Sequence, residues 1–355
     1  MSTTSMPGDS DSVDPEGVRP SQERLRRIRA FVTGRWFVKW AYFLFFVYAT
    51  VQLFRFAAWA RGEGPFVSRP EAPAGLLPIG HFTSFFAWLR GGGWDPLLPA
   101  GLIIIIAALS VSLLFRRGFC GWICPVGTLW EAFSALGRRL LGGRNLRLPK
   151  WLDLFGRGFR FLFAAALVAF LVAVPLAEAV GFRSLPYMMI ADLKTIGLMI
   201  EPIYLLVILL AGAISMLFGP VWCRYVCPLG GMYAAVAVGS PCAVHRDTST
   251  CIQCGRCTKT CHAFCEPDKV VNVRDTECDG CMECVKVCPV TDCLEARAFS
   301  SVRIAPWVWP VLVVGLWLAI YGIAVATGNW SSPVTAEQFR DIINSGILEQ
   351  SSMPQ

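Results

Sequence analysis

Five apolar runs punctuate the chain, at about 36–60, 97–115 (around Leu102-Ile103-Ile104-Ile105-Ile106), 159–181, 203–219 and 306–327. Roughly 20 apolar helical residues cross a hydrocarbon core, so the pattern predicts five membrane-spanning helices. The fourth run is the shortest, and Glu201-Pro202 blurs its outer end. Residues 75–90 are apolar but short, which suits a helix at the outer interface or a re-entrant piece. The first run is too long for a signal-peptide core and has no convincing cleavage site, so it reads as an anchor that stays in the membrane. Ahead of it, a Ser/Pro/Asp-rich stretch and the basic Arg24, Arg26, Arg27 and Arg29 predict a disordered N-terminus over 1–35.

Charge gives this pattern a direction. Hydrophobic residues make up 55% of the 355 positions and charged residues 16%, against roughly 25% in soluble domains. The net charge of +7 lies beside the apolar runs, not in a nucleic-acid-like patch. Lys and Arg number 7 in residues 1–39 and 8 in 116–157, but 3 in 61–97 and 2 in 178–202; the stretch 328–355 has only Arg340. By the positive-inside rule the N-terminus is cytoplasmic and the C-terminus outside, in a bacterial inner membrane. Residues 220–305, with 13 of the 15 cysteines, then face the reducing side.

The densest chemistry is Cys251-x2-Cys254-x2-Cys257-x3-Cys261 and Cys278-x2-Cys281-x2-Cys284-x3-Cys288-Pro289. Each has the spacing of a 4Fe–4S binding run, in which the fourth cysteine serves the other cluster. Cys251, Cys254, Cys257 and Cys288 are therefore the candidate ligands of one cluster, and Cys278, Cys281, Cys284 and Cys261 those of a second. Zinc knuckles also use C-x2-C pairs, but zinc does not explain a third cysteine at i+6 or a fourth before proline. The first run departs from the usual Cys-Pro ending with Cys261-His262-Ala263-Phe264-Cys265. Cys261 is the favoured ligand, Cys265 is a spare thiol able to replace it, and His262 is expected to face solvent. Cys293 fits no ligand position and is expected to be a packed small residue; Cys242 is ambiguous.

A second motif occurs twice, as Phe119-Cys120-Gly121-Trp122-Ile123-Cys124-Pro125 and Trp222-Cys223-Arg224-Tyr225-Val226-Cys227-Pro228. Each follows an apolar run and precedes a Pro-x-Gly. Cysteines four apart share one helical face, so side-by-side repeats would bring Cys120, Cys124, Cys223 and Cys227 together. These are candidate redox or metal thiols for a third centre. A redox dithiol, a transient metal relay and plain interface cysteines are the alternatives.

With these motifs in hand, the chain resembles the NapH/NosR-type membrane polyferredoxins over about residues 97–295. The resemblance implies membrane electron transfer, often from quinol, with the eight ferredoxin-run cysteines as cluster ligands. The His262/Cys265 variation departs from the pattern, and no Ser-Gly-Ala-Thr flavin-attachment sequence is present. The expected fold is a membrane α-helical bundle with an inserted small α+β, two-cluster, bacterial-ferredoxin-like domain. The bundle covers 36–241, the cluster domain 242–303, the fifth helix 304–327 and an outer tail 328–355.

The remaining residues narrow the cofactors. The three histidines, His81, His245 and His262, lie outside the confident spans, so a buried bis-histidine haem is not expected. Nothing supports a dinucleotide site, a covalent flavin or nucleic-acid binding. Expected partners are membrane lipid, a quinone or quinol, and a redox protein. Arg55, His81, Asp192 and Lys194 are expected to be snorkelling, surface or solvated groups. A thiol-based metal-handling or copper-reducing protein, and a non-catalytic docking subunit of a reductase system, are the rival functions.

Overall fold

A computed structural model describes residues 22–76, 78–143 and 145–345. It is mostly helical, with long apolar helices and one small antiparallel sheet. Helix α1 spans Gln22–Ala60, and its Gly34–Ala60 part is long and apolar enough to cross a membrane. Residues 22–35, expected to be disordered, are therefore helical; once the apolar part has formed a helix, extending it through the Arg-rich turns before it needs no new nucleus. Residues 1–21 lie outside the described residues.

Prolines set most of the other boundaries. Helix α2 spans Pro78–Leu89, and α3, Pro99–Leu114, is apolar but only 16 residues long. Helices α4 (Gly118–Trp122) and α5 (Pro125–Leu140) follow. Helix α6, Lys150–Ala173, is long enough to cross. It begins earlier than the expected 159–181 because Pro149 opens it, and it stops before Pro175, which starts α7 (Leu176–Arg183). Helices α8 (Pro186–Ile200) and α9 (Pro202–Phe218) form a pair bent by 70° at Glu201-Pro202, either a broken span or a re-entrant loop. After a π-helical turn, Trp222–Val226, α10 covers Pro228–Ala237. Helix α13, Val308–Ala326, also has crossing length. Among the described residues, then, three helices meet that length, or four if the bent pair counts as one span.

Between α10 and α13 lie strands β1 (Cys242–Arg246), β2 (Asn272–Val273), β3 (Leu294–Ala298) and β4 (Val302–Ile304), in the order β2-β1-β3-β4. All pairings are antiparallel, and Val244 faces Val273 on one side and Ala296 on the other. Short helices α11 (Arg256–Thr260) and α12 (Glu283–Val287) complete the segment. It has no separate core: Val244, Val273 and Ala296 pack in one cluster with Val111, Trp122, Trp309 and Val313 of the helices. At the opposite end, Phe339 and Ile343 of α14 (Ala336–Asn344) pack on Leu53 and Phe56 of α1 and Leu193 of α8. A Thr335/Gln338 capping box starts α14, so the expected outer tail carries a docked helix.

Two side chains expected at the surface are buried. His81 is 2% exposed; its ring fills a slot left open by Gly101, where an added Cβ would lie 2.0 Å from the imidazole. Asp192 is buried against Arg69, 2.6 Å away, so an ion pair takes the place of water.

Helices α5 and α9 meet closely at Gly137 of α5, where a Cβ would fall 1.8 Å from the Met216 carbonyl oxygen of α9. Replacing Gly137 with Ala should therefore destabilise the protein by about 1–3 kcal/mol, the usual cost of overpacking. Gly158 of α6 has nothing within 4 Å of its Cβ position. Gly158→Ala should be neutral or stabilise by about 0.5–1 kcal/mol through helix propensity. Thermal unfolding in detergent, followed by tryptophan fluorescence, compares the two.

Candidate metal centres

Two small cavities open inside the sheet segment. Cys251, Cys254, Cys257 and Cys288 line the first, and Cys261, Cys278, Cys281 and Cys284 the second. The fourth cysteine of each run thus lies with the first three of the other. The loops wrap inward because left-handed residues alternate with the cysteines: Gln253 and Gly255 in the first run, Gly280 and Met282 in the second. Gly280 is the most constrained, since an added Cβ would meet the Phe115 carbonyl oxygen at 2.9 Å.

Each cavity also has a fifth thiol. Cys265 is buried in the second and hydrogen-bonds with Cys261 and Cys278. That bond draws the Cys261 thiol down to about 7, against the opposing effect of burial. Cys293 is buried at the first cavity beside Cys251 and Cys288, and its Sγ lies 3.7 Å from the Asp247 carbonyl oxygen. It is packed, as expected of a small residue, but packed against ligand candidates, which its spacing did not indicate. Cys242 sits in β1 inside the shared core, away from both cavities.

The repeated motifs also converge. Cys124 caps α5 and Cys227 caps α10, each Sγ accepting from a glycine amide three residues on, Gly127 at 3.4 Å and Gly230 at 3.3 Å. Burial pushes the Cys124 thiol up to about 12, and neighbouring Cys120 and Cys227 add to the rise. Burial likewise raises Cys223, with Cys227, Cys124 and Cys120 contributing. All four thiols are thus within electrostatic reach of one another. Arg117 hydrogen-bonds to Cys120 and opposes the rise there. Thiols of raised pKa lose their protons when a soft cation displaces them, so the donor set has the chemistry of a thiophilic metal or cluster site.

A layer of buried ions joins these sites. Arg35 of α1 makes a two-pronged contact with Glu131 of α5, at 2.7 and 2.8 Å, and donates to the Gly121 carbonyl at 3.0 Å. Lys39 bonds the same carboxylate. His262, expected at the surface, is buried: its Nε2 is 2.8 Å from Asp279 and its Nδ1 3.8 Å from Glu131. Burial disfavours the His262 cation, but the two carboxylates outweigh it and raise its pKa. Burial also works against ionised Asp279, and His262 and Arg35 still hold it below the usual carboxylate range. On the other side, Glu277 pairs with Arg117 at 3.0 Å and Arg160 at 2.5 Å, while Arg224 reaches Asp153 at 2.9 Å and the Ala263 carbonyl at 2.6 Å. Gly121 completes the junction, because any Cβ there would strike the Asp279 carbonyl oxygen at 2.5 Å.

Comparison with known families agrees with this chemistry. A "4Fe-4S binding domain" family matches residues 97–144 and 201–241, the two C-x3-C-P repeats, and a "4Fe-4S dicluster domain" family matches 243–289. The fold and thiol sites thus define an iron–sulfur protein with membrane-length helices. YccM of Escherichia coli strain K12, whose name gives electron transport as a provisional role, is 34% identical over 290 residues, covering 78% of this chain and 80% of YccM. Protein NirI of Paracoccus denitrificans is 29% identical over 245 residues, 64% of this chain but only 34% of NirI. The ferredoxin-type protein NapH of E. coli K12 is 24% identical over 205 residues, 54% of this chain and 67% of NapH. The chain belongs to this family of membrane-associated ferredoxin-type proteins, and it is an iron–sulfur electron-transfer protein of the NapH/NosR/YccM type. No solved structure matches it.

Removing the Glu277 charge leaves Arg117 and Arg160 buried without their shared anion. Glu277→Gln should cost roughly 3–5 kcal/mol, the usual penalty for breaking a buried pair. Glu295→Gln, which loses pairs to the partly exposed Arg297 and the exposed Arg303, should cost about 1 kcal/mol or less. Thermal midpoints of the two variants measure the difference.

Proposed function

We propose that the chain exchanges electrons between the membrane quinone pool, or a redox protein partner, and two 4Fe–4S clusters on the cytoplasmic face. Cys251, Cys254, Cys257 and Cys288 hold the first cluster, and Cys278, Cys281, Cys284 and Cys261 the second. The observation that carries this reading is the pair of small cavities, each lined by four candidate thiols drawn from both runs. When bound, such clusters supply one-electron exchange at potentials set by charge, hydrogen bonding and exposure. The chain's own residues do the rest. The cysteines fix the clusters, the shared core excludes water, and Arg35, Lys39 and His262 bring positive charge toward the second site.

Cys120, Cys124, Cys223 and Cys227 form a third centre between the lipid-facing helices and the ferredoxin-type segment. Its support is the convergence of the two repeats and the match of each to a 4Fe–4S binding family. The bundle crosses the membrane with the bent pair α8–α9 as one span, the N-terminus and clusters inside and the C-terminus outside. The uneven loop charges support that orientation.

Iron and acid-labile sulfide, measured on anaerobically purified protein, test the assignment. Cys254→Ser should remove about four of each per chain, one cubane's worth. Cys261→Ala should retain the second cluster while Cys265 is present and lose it in the Cys261→Ala/Cys265→Ala double variant. Replacing Cys124 and Cys227 together with Ser should abolish quinol-dependent cluster reduction, followed by EPR. Loss of bound metal from these thiols with cluster reduction intact would instead favour metal handling. Zinc without sulfide would overturn the cluster assignment.

A further inference from the structure

A cavity of about 550 Å³ lies where α6 begins and α9 ends against the ferredoxin-type segment. Arg147, Lys150, Arg157, Arg224, Lys269 and Arg274 line it, against three acids, Asp153, Glu266 and Asp275. Several of these charges neutralise one another: Arg224 and Arg157 meet Asp153, while Arg147 and Lys269 meet Glu266. No ion pair among the described residues engages Lys150 or Arg274, and both are exposed. The cavity thus keeps a net positive charge of three, with two cations free to take an anion.

Its position indicates the source of that anion. Lys150, Asp153 and Arg157 lie on one face of the first turns of α6, a helix of membrane-crossing length. The neighbouring face is apolar and open, with Trp151 72% and Phe155 71% exposed, and Phe159 and Leu162 continue it along the helix. Phe218, the last residue of α9, supplies part of the cavity wall, and Leu217 beside it is exposed. An occupant with a phosphate in the cavity and hydrocarbon along α6 satisfies both surfaces. A basic pocket at the ends of membrane helices, flanked by an interfacial tryptophan, has the physical character of an anionic-headgroup site.

We infer that this cavity binds the phosphate headgroup of an anionic phospholipid, which ties the 264–275 loop to the membrane surface. The inference rests on the chain being a membrane protein and does not need the quinone reading. One wall, Val273, also lines the second cysteine cavity, and Arg224 and Tyr225 belong to the second C-x3-C-P motif. The lipid therefore sits against the junction of two thiol sites.

The test uses full-length, iron-loaded protein, delipidated in nonionic detergent and titrated with dioleoyl phosphatidylglycerol or dioleoyl phosphatidylcholine. Native mass spectrometry reads occupancy. The wild type should bind phosphatidylglycerol at least about tenfold more tightly, as expected where each nearby cation contributes about fivefold. Lys150→Ser/Arg274→Ser should lose that preference, and the single Lys150→Gln should lose part of it. Lys259→Ser, an exposed charge outside the cavity, should keep it. Equal binding of the two lipids, or an unchanged preference in the double variant, would overturn the inference. So would complete displacement by millimolar inorganic phosphate, which would point to a soluble phosphate ligand. Iron and sulfide content, measured on the same samples, separates this result from the cluster assignment: protein without iron but with the lipid preference refutes the clusters alone.

Discussion

Thiolate clusters bring negative charge into places that water cannot reach well, and the molecule is arranged around that constraint. An isolated buried charge costs several kcal/mol, so each one needs a partner of opposite sign held close. Arg35 and Lys39 enter from α1, Arg117 from the loop before α4, Arg160 from α6 and Arg224 from the π-helical turn. Glu131, Glu277, Asp279 and Asp153 receive them. The resulting layer lies between the C-x3-C-P thiols and the ferredoxin-type cavities. The helices are thereby fixed in register to the cysteine-bearing loops.

The two repeats share a backbone plan but differ in how they meet the cluster segment. Both end in a cysteine that caps a proline-initiated helix, and both fold the following glycine beneath the first cysteine's carbonyl. At the position after the first cysteine, one has Gly121 and the other Arg224. Gly121 lets the Asp279 backbone approach until nothing larger than hydrogen fits, whereas Arg224 reaches out to hold Ala263. One repeat makes room for the second cysteine run, and the other grips the end of the first. The two copies thus act as the two sides of a clamp, with Trp122 of one also donating to Gly280 and Tyr225 of the other bonding Asp153.

The features most legible from sequence were those with a short, rigid period. The cysteine spacings and the internal repeat follow from local geometry, and the structure gathers those thiols into three groups. Apolar runs revealed the presence of long helices but not their limits, because Pro149, Pro175 and Pro202 cut the chain where hydropathy does not change sharply. Burial of individual polar residues was the least legible. His262 looks like a surface residue until Glu131, 131 positions earlier in the chain, is brought beside it. His81 similarly depends on Gly101, whose missing side chain leaves the slot that the ring fills. Cys265 was legible as a spare thiol beside Cys261, but Cys293 had no motif position, and only the folded cavity shows that it completes a thiol wall.

The shared core has a mechanical meaning. Many redox carriers place their reactive domain on a tether and let it swing between donor and acceptor. Here Trp309 and Val313, near the start of α13, are fully buried in the same cluster as the strands that support the cysteine loops. Swinging the segment away would tear open that common interior and the charged layer beside it. The cysteine sites are built into the helical interior and are not hung from it on a tether.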